Sequence, residues 1–379
     1  AFDKLSPDGS AWHHMKYIGI FGCYLLMMFY TMVGGWMMYY CFKSLRGDFA
    51  GTSPEVITQA FSNMLVDYPT MIFWTVLICI IGFAVCIFGL QSGVEKVSKV
   101  MMTALLIVMV ILAVHSVFLE GAGAGVRFYL VPDFEKMVET GIGNVVFGAM
   151  SQAFFTLSLG IGAMMIFGSY MDHSRSITGE AVNITILDTF VALTAGFIII
   201  PACFAYGIEP GAGPSLVFIT LPNIFAQMPG GFLWSALFFL FLTFAALSTI
   251  IAVFENIIAF DMDLFKWSRK KSVLVSAILV IVLSMPAVLG YNVLSFIQPL
   301  GEGSTIMDLE YFIVSNNLLP LGSLGYLLFC TSRNGWGWDA FIKEANSGDG
   351  LKFPAGLKAY VAWGIPALIA FIYLKGYYD

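Results

Sequence analysis

Apolar residues run in long blocks along this chain, separated by short polar stretches. Nine blocks are long enough to cross a hydrocarbon core about 30 Å thick, which takes about 20 helical residues. They fall at approximately 15–42, 69–90, 97–119, 144–170, 181–208, 231–261, 272–292, 308–330 and 355–375. Their aliphatic and aromatic side chains lie on all sides of the helix rather than in one stripe, as helices buried in lipid and in one another require. A strand edge or open loop facing lipid would leave N–H and C=O groups unpaired, so about nine transmembrane helices are predicted. From Pro210 to Phe254 there is no charge, and the stretch is too long for one crossing. Pro214, Pro222 and Pro229 interrupt its first part, so 209–230 is expected to be a loop carrying short helices.

Composition excludes the alternatives. The 379 residues are 59% hydrophobic and 11% charged, with mean hydropathy +0.86. A soluble domain has about 45–50% apolar and about 25% charged residues. The net charge of −6, with no basic run longer than Arg269-Lys270-Lys271, argues against a nucleic-acid partner. The six cysteines form no C-x-x-C pair and mostly sit inside apolar runs, where cysteine behaves as a small hydrophobe. With the N-terminus inside and the spans alternating, 13 of the 18 Lys and Arg fall on the inner side. That is the positive-inside pattern, and it puts the C-terminus at Asp379 outside. The chain opens Ala1-Phe2-Asp3-Lys4 with neither an initiator methionine nor a signal peptide, so it is expected to begin within a longer gene product. The sequence does not specify an oligomeric state.

The fourth span reads Gln152-Ala153-Phe154-Phe155-Thr156-Leu157-Ser158-Leu159-Gly160-Ile161-Gly162. Two glycines beside Thr and Ser at mid-span, each costing about 1 kcal/mol of helix relative to alanine, make an unwound turn plausible. Half-helix ends would offer N–H groups to an anion and C=O groups to a cation. The other reading is a small-residue face for close helix packing. Periodicity alone favours packing.

This run resembles the sixth transmembrane helix of the neurotransmitter:sodium symporter family. Other stretches match that family in order. Phe29-Tyr30-Thr31-Met32-Val33-Gly34-Gly35-Trp36 is similar to its third helix, Gly93-Val94-Glu95-Lys96 to the start of its fifth, and Leu187-Asp188-Thr189-Phe190-Val191-Ala192 to its seventh. Gly213-Pro214 through Pro222 resembles the fourth extracellular loop, and Ala245-Ala246-Leu247-Ser248-Thr249 the eighth helix. The resemblance implies an all-α membrane protein with a leucine-transporter-like inverted-repeat helix bundle. Residues 1–143 would be the remainder of the first repeat (helices 3–5 of the family). Residues 144–331 would be the second repeat (helices 6–10), with the extracellular loop 209–230. Residues 332–379 would add a cytoplasmic loop and a C-terminal helix. The match begins just before the third family helix, so the chain is expected to be N-terminally incomplete, lacking the first two helices.

The resemblance also implies roles. Leu26, Tyr30, Phe155, Thr156, Ser158, Ile161 and Val253 would contact substrate. Tyr30 would bond a carboxylate, Leu26 and Ile161 would form apolar walls, and Phe155 would lie as a lid. Thr156 and Asp188 would belong to one sodium site; Ala245 (through its carbonyl), Ser248 and Thr249 would belong to another. Asp188 is also the only ionisable side chain inside the fifth span, and a carboxylate at that depth marks an ion or proton site by default. Ser248 and Thr249 read alone are hydroxyls bonded back to the preceding turn. Asp308 would serve with Phe155 in the outer gate, although Tyr311 is the closer match to the family's gate acid. Gln152 matches a chloride-site glutamine, but the partnering hydroxyl position is Ala192, so chloride is not expected. Glu255, deep in the sixth span, has no assigned role and is expected to be solvated from the cytoplasmic side.

The expected function is sodium-coupled import of an amino acid, hydrophobic in character, across a bacterial inner membrane in contact with lipid, by alternating access. An intramembrane enzyme would need a buried acid pair or a Ser/His cluster, and the four histidines include only one, His115, within a span. A non-transporting membrane scaffold or sensor, or an inactive fragment, is the remaining alternative.

Overall fold

The computed structural model describes residues 2–7, 9–169, 171–210 and 213–378. The expected outer terminus at Asp379, Tyr170 at the end of the fourth span, and Gly211 and Ala212 in the loop 209–230 lie outside the described residues. All regular elements described are helical: α1 Met15–Arg46, α2 Pro54–Val66, α3 Tyr68–Ile87, α4 Lys96–Val117, α5 Ala122–Leu130, α6 Phe134–Thr140, α7 Ile142–Thr156, α8 Ala163–Ser169, α9 Ile177–Ala205, α10 Leu221–Gln227, α11 Gly231–Phe265, α12 Arg269–Leu289, α13 Ile306–Thr331, α14 Trp338–Ala345 and α15 Ile365–Tyr378.

Among the described residues, seven helices are long and apolar enough to cross a membrane. The other two expected spans are also helical but fall short of that length in one uninterrupted described helix. The fourth expected span is divided into α7 and α8, neither long enough alone. The ninth, 355–375, is one helical run made of a tight turn at Ala355–Leu357, a wide turn over Tyr360–Gly364 and α15. Gly364 and Pro366 fall at the wide turn, where a tight α-helical ladder is least favoured. The loop 209–230 carries short helical elements as its prolines imply, a wide turn over Leu216–Thr220 followed by α10 with Pro222 in its first turn.

The chain forms two compact units. One comprises residues 27–133 and 190–308. Its core is α11 packed on α3 and α4, with α12 against α3. Small residues permit this: a Cβ at Gly82 would lie 2.9 Å from the Phe254 ring, which stacks on Phe83 with centroids 3.8 Å apart. In lipid no hydrophobic force drives helices together, so such close packing carries the association. At one end of this unit Trp36 sits edge-on to Phe61, Phe218 and Tyr291. That cluster seats the 216–220 turn.

The other unit comprises residues 1–26, 134–189 and 309–379. Here α13 packs against α7 and α15. A wide turn over Ile313–Leu318 interrupts α13, and Asn317 spans it, donating from Nδ2 to the Phe312 carbonyl at 3.2 Å while Tyr373 Oη donates to its Oδ1 at 3.1 Å. The loop before α9 is tied to the segment after α14: Asp349 N–H donates to the Ser174 carbonyl at 2.8 Å. Ser174 N–H in turn donates to Asp172 at 2.9 Å, which holds that carboxyl below the usual carboxylate range.

Candidate functional site

The break in the fourth span begins where α7 stops at Thr156. Leu157 and Leu159 N–H groups still reach back to Ala153 and Phe154 carbonyls at 3.2 and 3.0 Å. Ser158 then takes φ 49°, Gly160 φ 85° and Gly162 φ 86°. The left-handed region is open to glycine and costs a serine about 1–3 kcal/mol, a strain that persists only where surroundings impose it. Regular bonding resumes with Ile166 N–H to the Gly162 carbonyl at 3.1 Å. Among the described residues the N–H groups of Gly160, Ile161 and Gly162 donate to no backbone carbonyl. The unwound reading therefore holds over the packing reading at this segment, although packing also operates. A Cβ at Gly160 would press on the Leu319 carbonyl and lie 2.7 Å from Ser323 N. Substituting Gly160 by alanine thus combines an unfavourable φ with a backbone clash. We expect a loss of about 2 kcal/mol or more in stability, read as a lower melting temperature of the purified protein.

At the near edge of the break, Thr156 Oγ1 donates to Asp188 Oδ1 at 2.8 Å. Asp188 is half-buried on α9 and forms no ion pair among the described residues. The two residues predicted to share an ion site are thus in contact, and the carboxylate has no fixed basic partner. Phe155 lies beside Tyr311 of α13, ring centroids 5.8 Å apart. Ile161, predicted as a wall of the substrate pocket, is 1% exposed and packs on α1, where a Cβ at Gly22 would lie 2.8 Å from its Cγ2. Its carbonyl accepts from Cys23 Sγ at 3.6 Å. Leu26 is buried in the same unit.

The remaining candidates lie in the other unit. Ser248 Oγ and Thr249 Oγ1 both donate to the Ala245 carbonyl, at 2.8 and 3.3 Å. That is the local pattern the hydroxyls suggest when read alone, and it places all three expected ligands at one point of α11. The Tyr30 hydroxyl faces the Thr249 side chain. Val253, one turn further along α11, is 2% exposed. Asp308 Oδ2 accepts from Thr305 N–H and Oγ1 at 2.7 and 2.8 Å, so in this structure it closes the first turn of α13.

Two polar pairings are not predicted from the sequence. Glu255 is 0% exposed, which corrects the expectation of solvation. Its Oε1 accepts from Arg269 Nη1 at 3.1 Å and its Oε2 from Nη2, while Arg269 Nε donates to the Cys86 carbonyl at 2.7 Å. A charged residue deep in a span followed by a basic cluster opening the next helix was the available signal. Asp261, buried one and a half turns further on, accepts from Ser276 Oγ at 2.7 Å.

Interrupted helices that turn backbone groups toward solute and ion are a construction of multi-pass secondary transporters, and the unwound turn of the fourth span, beside Asp188, has that form. The comparisons agree. The model of the sodium:neurotransmitter symporter family matches residues 58–307. The sodium-dependent transporter YhdH of Bacillus subtilis is 34% identical over 329 residues, covering 87% of this chain and 71% of its own. A sodium-dependent transporter of Haemophilus influenzae is 30% identical over 388 aligned positions, covering 98% and 82%. The crystal structure of MhsT in complex with L-phenylalanine superposes with a TM-score of 0.85 at 32% identity, covering 97% of this chain and 81% of that one. The chain belongs to the sodium:neurotransmitter symporter family and shares the leucine-transporter-like fold. Members of this family are sodium-dependent transporters of small molecules and not enzymes.

Proposed function

We propose that this protein imports a hydrophobic amino acid together with sodium across the inner membrane of a bacterium. The observation that carries the reading is the unwound Ser158–Gly162 turn with the Thr156–Asp188 pair at its edge. Hard oxygen ligands of this kind suit a hard monovalent cation. In this reading Thr156 and Asp188 hold one sodium ion, and Ser248, Thr249 and the Ala245 carbonyl hold another. Tyr30 and Ser158 bond the polar end of the substrate, and Leu26, Phe155, Ile161 and Val253 receive its side chain. Phe155 and Asp308 belong to the outer gate. MhsT, whose crystal structure holds L-phenylalanine, supports an aromatic or aliphatic substrate. Alanine at position 192 supports independence from chloride, since it offers no hydroxyl to an anion. Sodium and substrate bind preferentially to one state and shift the conformational equilibrium only by that preference. One charge crossing about 100 mV gains roughly 2.3 kcal/mol, roughly a fiftyfold concentration ratio.

The test is uptake of radiolabelled phenylalanine and leucine into proteoliposomes. An imposed inward sodium gradient is expected to drive accumulation, and equal accumulation with potassium on both sides overturns the reading. Changing Ser248 and Thr249 together to alanine is expected to raise the half-saturating sodium concentration at least tenfold. Unchanged sodium dependence in that variant would remove these hydroxyls from the ion path. Sodium-dependent binding without uptake would instead favour a sensor.

A further inference from the structure

The unit that carries the broken helix also holds a cavity of about 420 Å³, in the range of small-molecule pockets (about 300–1,000 Å³). Its walls come from α7, α8, the unwound turn, α13 and α15, and among the described residues none of its lining side chains is charged. None of the assignments above uses this cavity as a site, although Ser158, Leu159, Gly160 and Gly162 of the unwound turn form part of its wall. The polar groups collect along the break. Gly160 lies against the Ser323 backbone, and a Cβ at Gly162 would meet the Tyr326 hydroxyl at 2.9 Å. Ser323 is 8% exposed, and its Oγ has no hydrogen-bond partner among the described residues. Ser323, Tyr326 and Leu327 share one face of α13. The remaining lining is aliphatic or aromatic apart from its methionines, whose flexible thioethers adapt to ligands of differing shape.

We infer that this cavity binds an uncharged single-chain amphiphile, a molecule with one oxygen headgroup and an alkyl body. An orphaned buried hydroxyl costs about 1–3 kcal/mol, which a ligand oxygen bonded to Ser323 Oγ removes. The absence of a charged lining residue disfavours an ammonium or carboxylate headgroup, because burying an unpaired ion costs several kcal/mol. The alkyl body lies against Ile365 and Ile369. A molecule seated there touches Ser158, Gly160 and Gly162 and so restrains the unwound turn.

The experiment is photolabelling of the full 379-residue chain in proteoliposomes with a diazirine-bearing octanol. Labelled peptides are located by mass spectrometry. Saturable labelling is expected at Tyr326, Leu327 or Met165, with competition by unlabelled octan-1-ol at least tenfold more effective than by octylammonium or octanoate at pH 7. Ile369→Trp, which fills the cavity, is expected to reduce this labelling at least tenfold, and Ser323→Ala about threefold. If Ile369→Trp does not yield a monodisperse protein, Leu327→Phe serves the same purpose. Labelling that does not saturate, that falls elsewhere, or that persists in the filled variant overturns the proposal. This readout needs neither sodium nor uptake, so its failure is distinct from a failure of the transport reading.

Discussion

Replacing Asp188 with alanine is expected to abolish sodium-driven uptake while leaving the fold intact. The carboxylate is half-buried in a span, bonded to Thr156 Oγ1, and without an ion-pair partner among the described residues. A charge at such a depth costs about 2.5–3.5 kcal/mol in the absence of compensation. Removing it therefore relieves the protein rather than damaging it, unless a cation is there to be held. Melting temperature without sodium is expected to stay level or rise, and the rise in melting temperature on adding sodium is expected to shrink. A charged ligand interaction is worth about 1.5–3 kcal/mol, so apparent sodium affinity is expected to fall about 10- to 100-fold. Asp188→Asn keeps an acceptor for Thr156 and is expected to fall between the two. Wild-type uptake and sodium response in the alanine variant would detach Asp188 from the ion.

Replacing Arg269 with alanine is expected to cost about 3–5 kcal/mol of stability, measured by thermal unfolding in detergent. All three kinds of guanidinium nitrogen are used: Nη1 and Nη2 on Glu255, and Nε on the Cys86 carbonyl. Truncation leaves a carboxylate with no solvent contact and no partner, which is the expensive way to break a buried pair. Removing both charges, as Glu255→Leu with Arg269→Met, is expected to recover most of the loss, because two apolar residues of similar size incur no desolvation penalty. Arg269→Lys is expected to recover little, since an ammonium cannot match the two-pronged geometry and the third bond together. A single variant as stable as the parent would mean that water reaches Glu255.

What the chain reveals before folding differs by feature. The interrupted fourth span was legible because Gly160 and Gly162 combine low helix propensity with easy access to positive φ, and both adopt it. The Thr156–Asp188 contact was reachable only through the family resemblance, since no spacing rule links residues on separate helices. The ninth span is helical as its apolar composition predicts, but its wide turn depends on local geometry that hydropathy does not register. The same is true of the turn at Ile313–Leu318, whose Asn317 reads as an ordinary polar residue until Tyr373 is seen to bond it. Ile161 reads as a pocket wall by position, yet Gly22 opposite it leaves room for packing that a single helix cannot reveal. Glu255 was visible as an anomaly without a partner. The turn at Lys266–Ser268 that returns the chain toward it involves a left-handed lysine, an unfavourable conformation no pattern announces.

The two hydroxyls that rest on the Ala245 carbonyl have one more implication. With both protons placed on the Ala245 carbonyl of their own helix, neither hydroxyl is a dangling donor that would invite water into the hydrocarbon. If that point holds sodium as proposed, departure of the ion leaves both hydroxyls bonded, and its return needs only a swing of two short side chains. On the proposed reading, vacancy and occupancy of that point could alternate without opening a path for water.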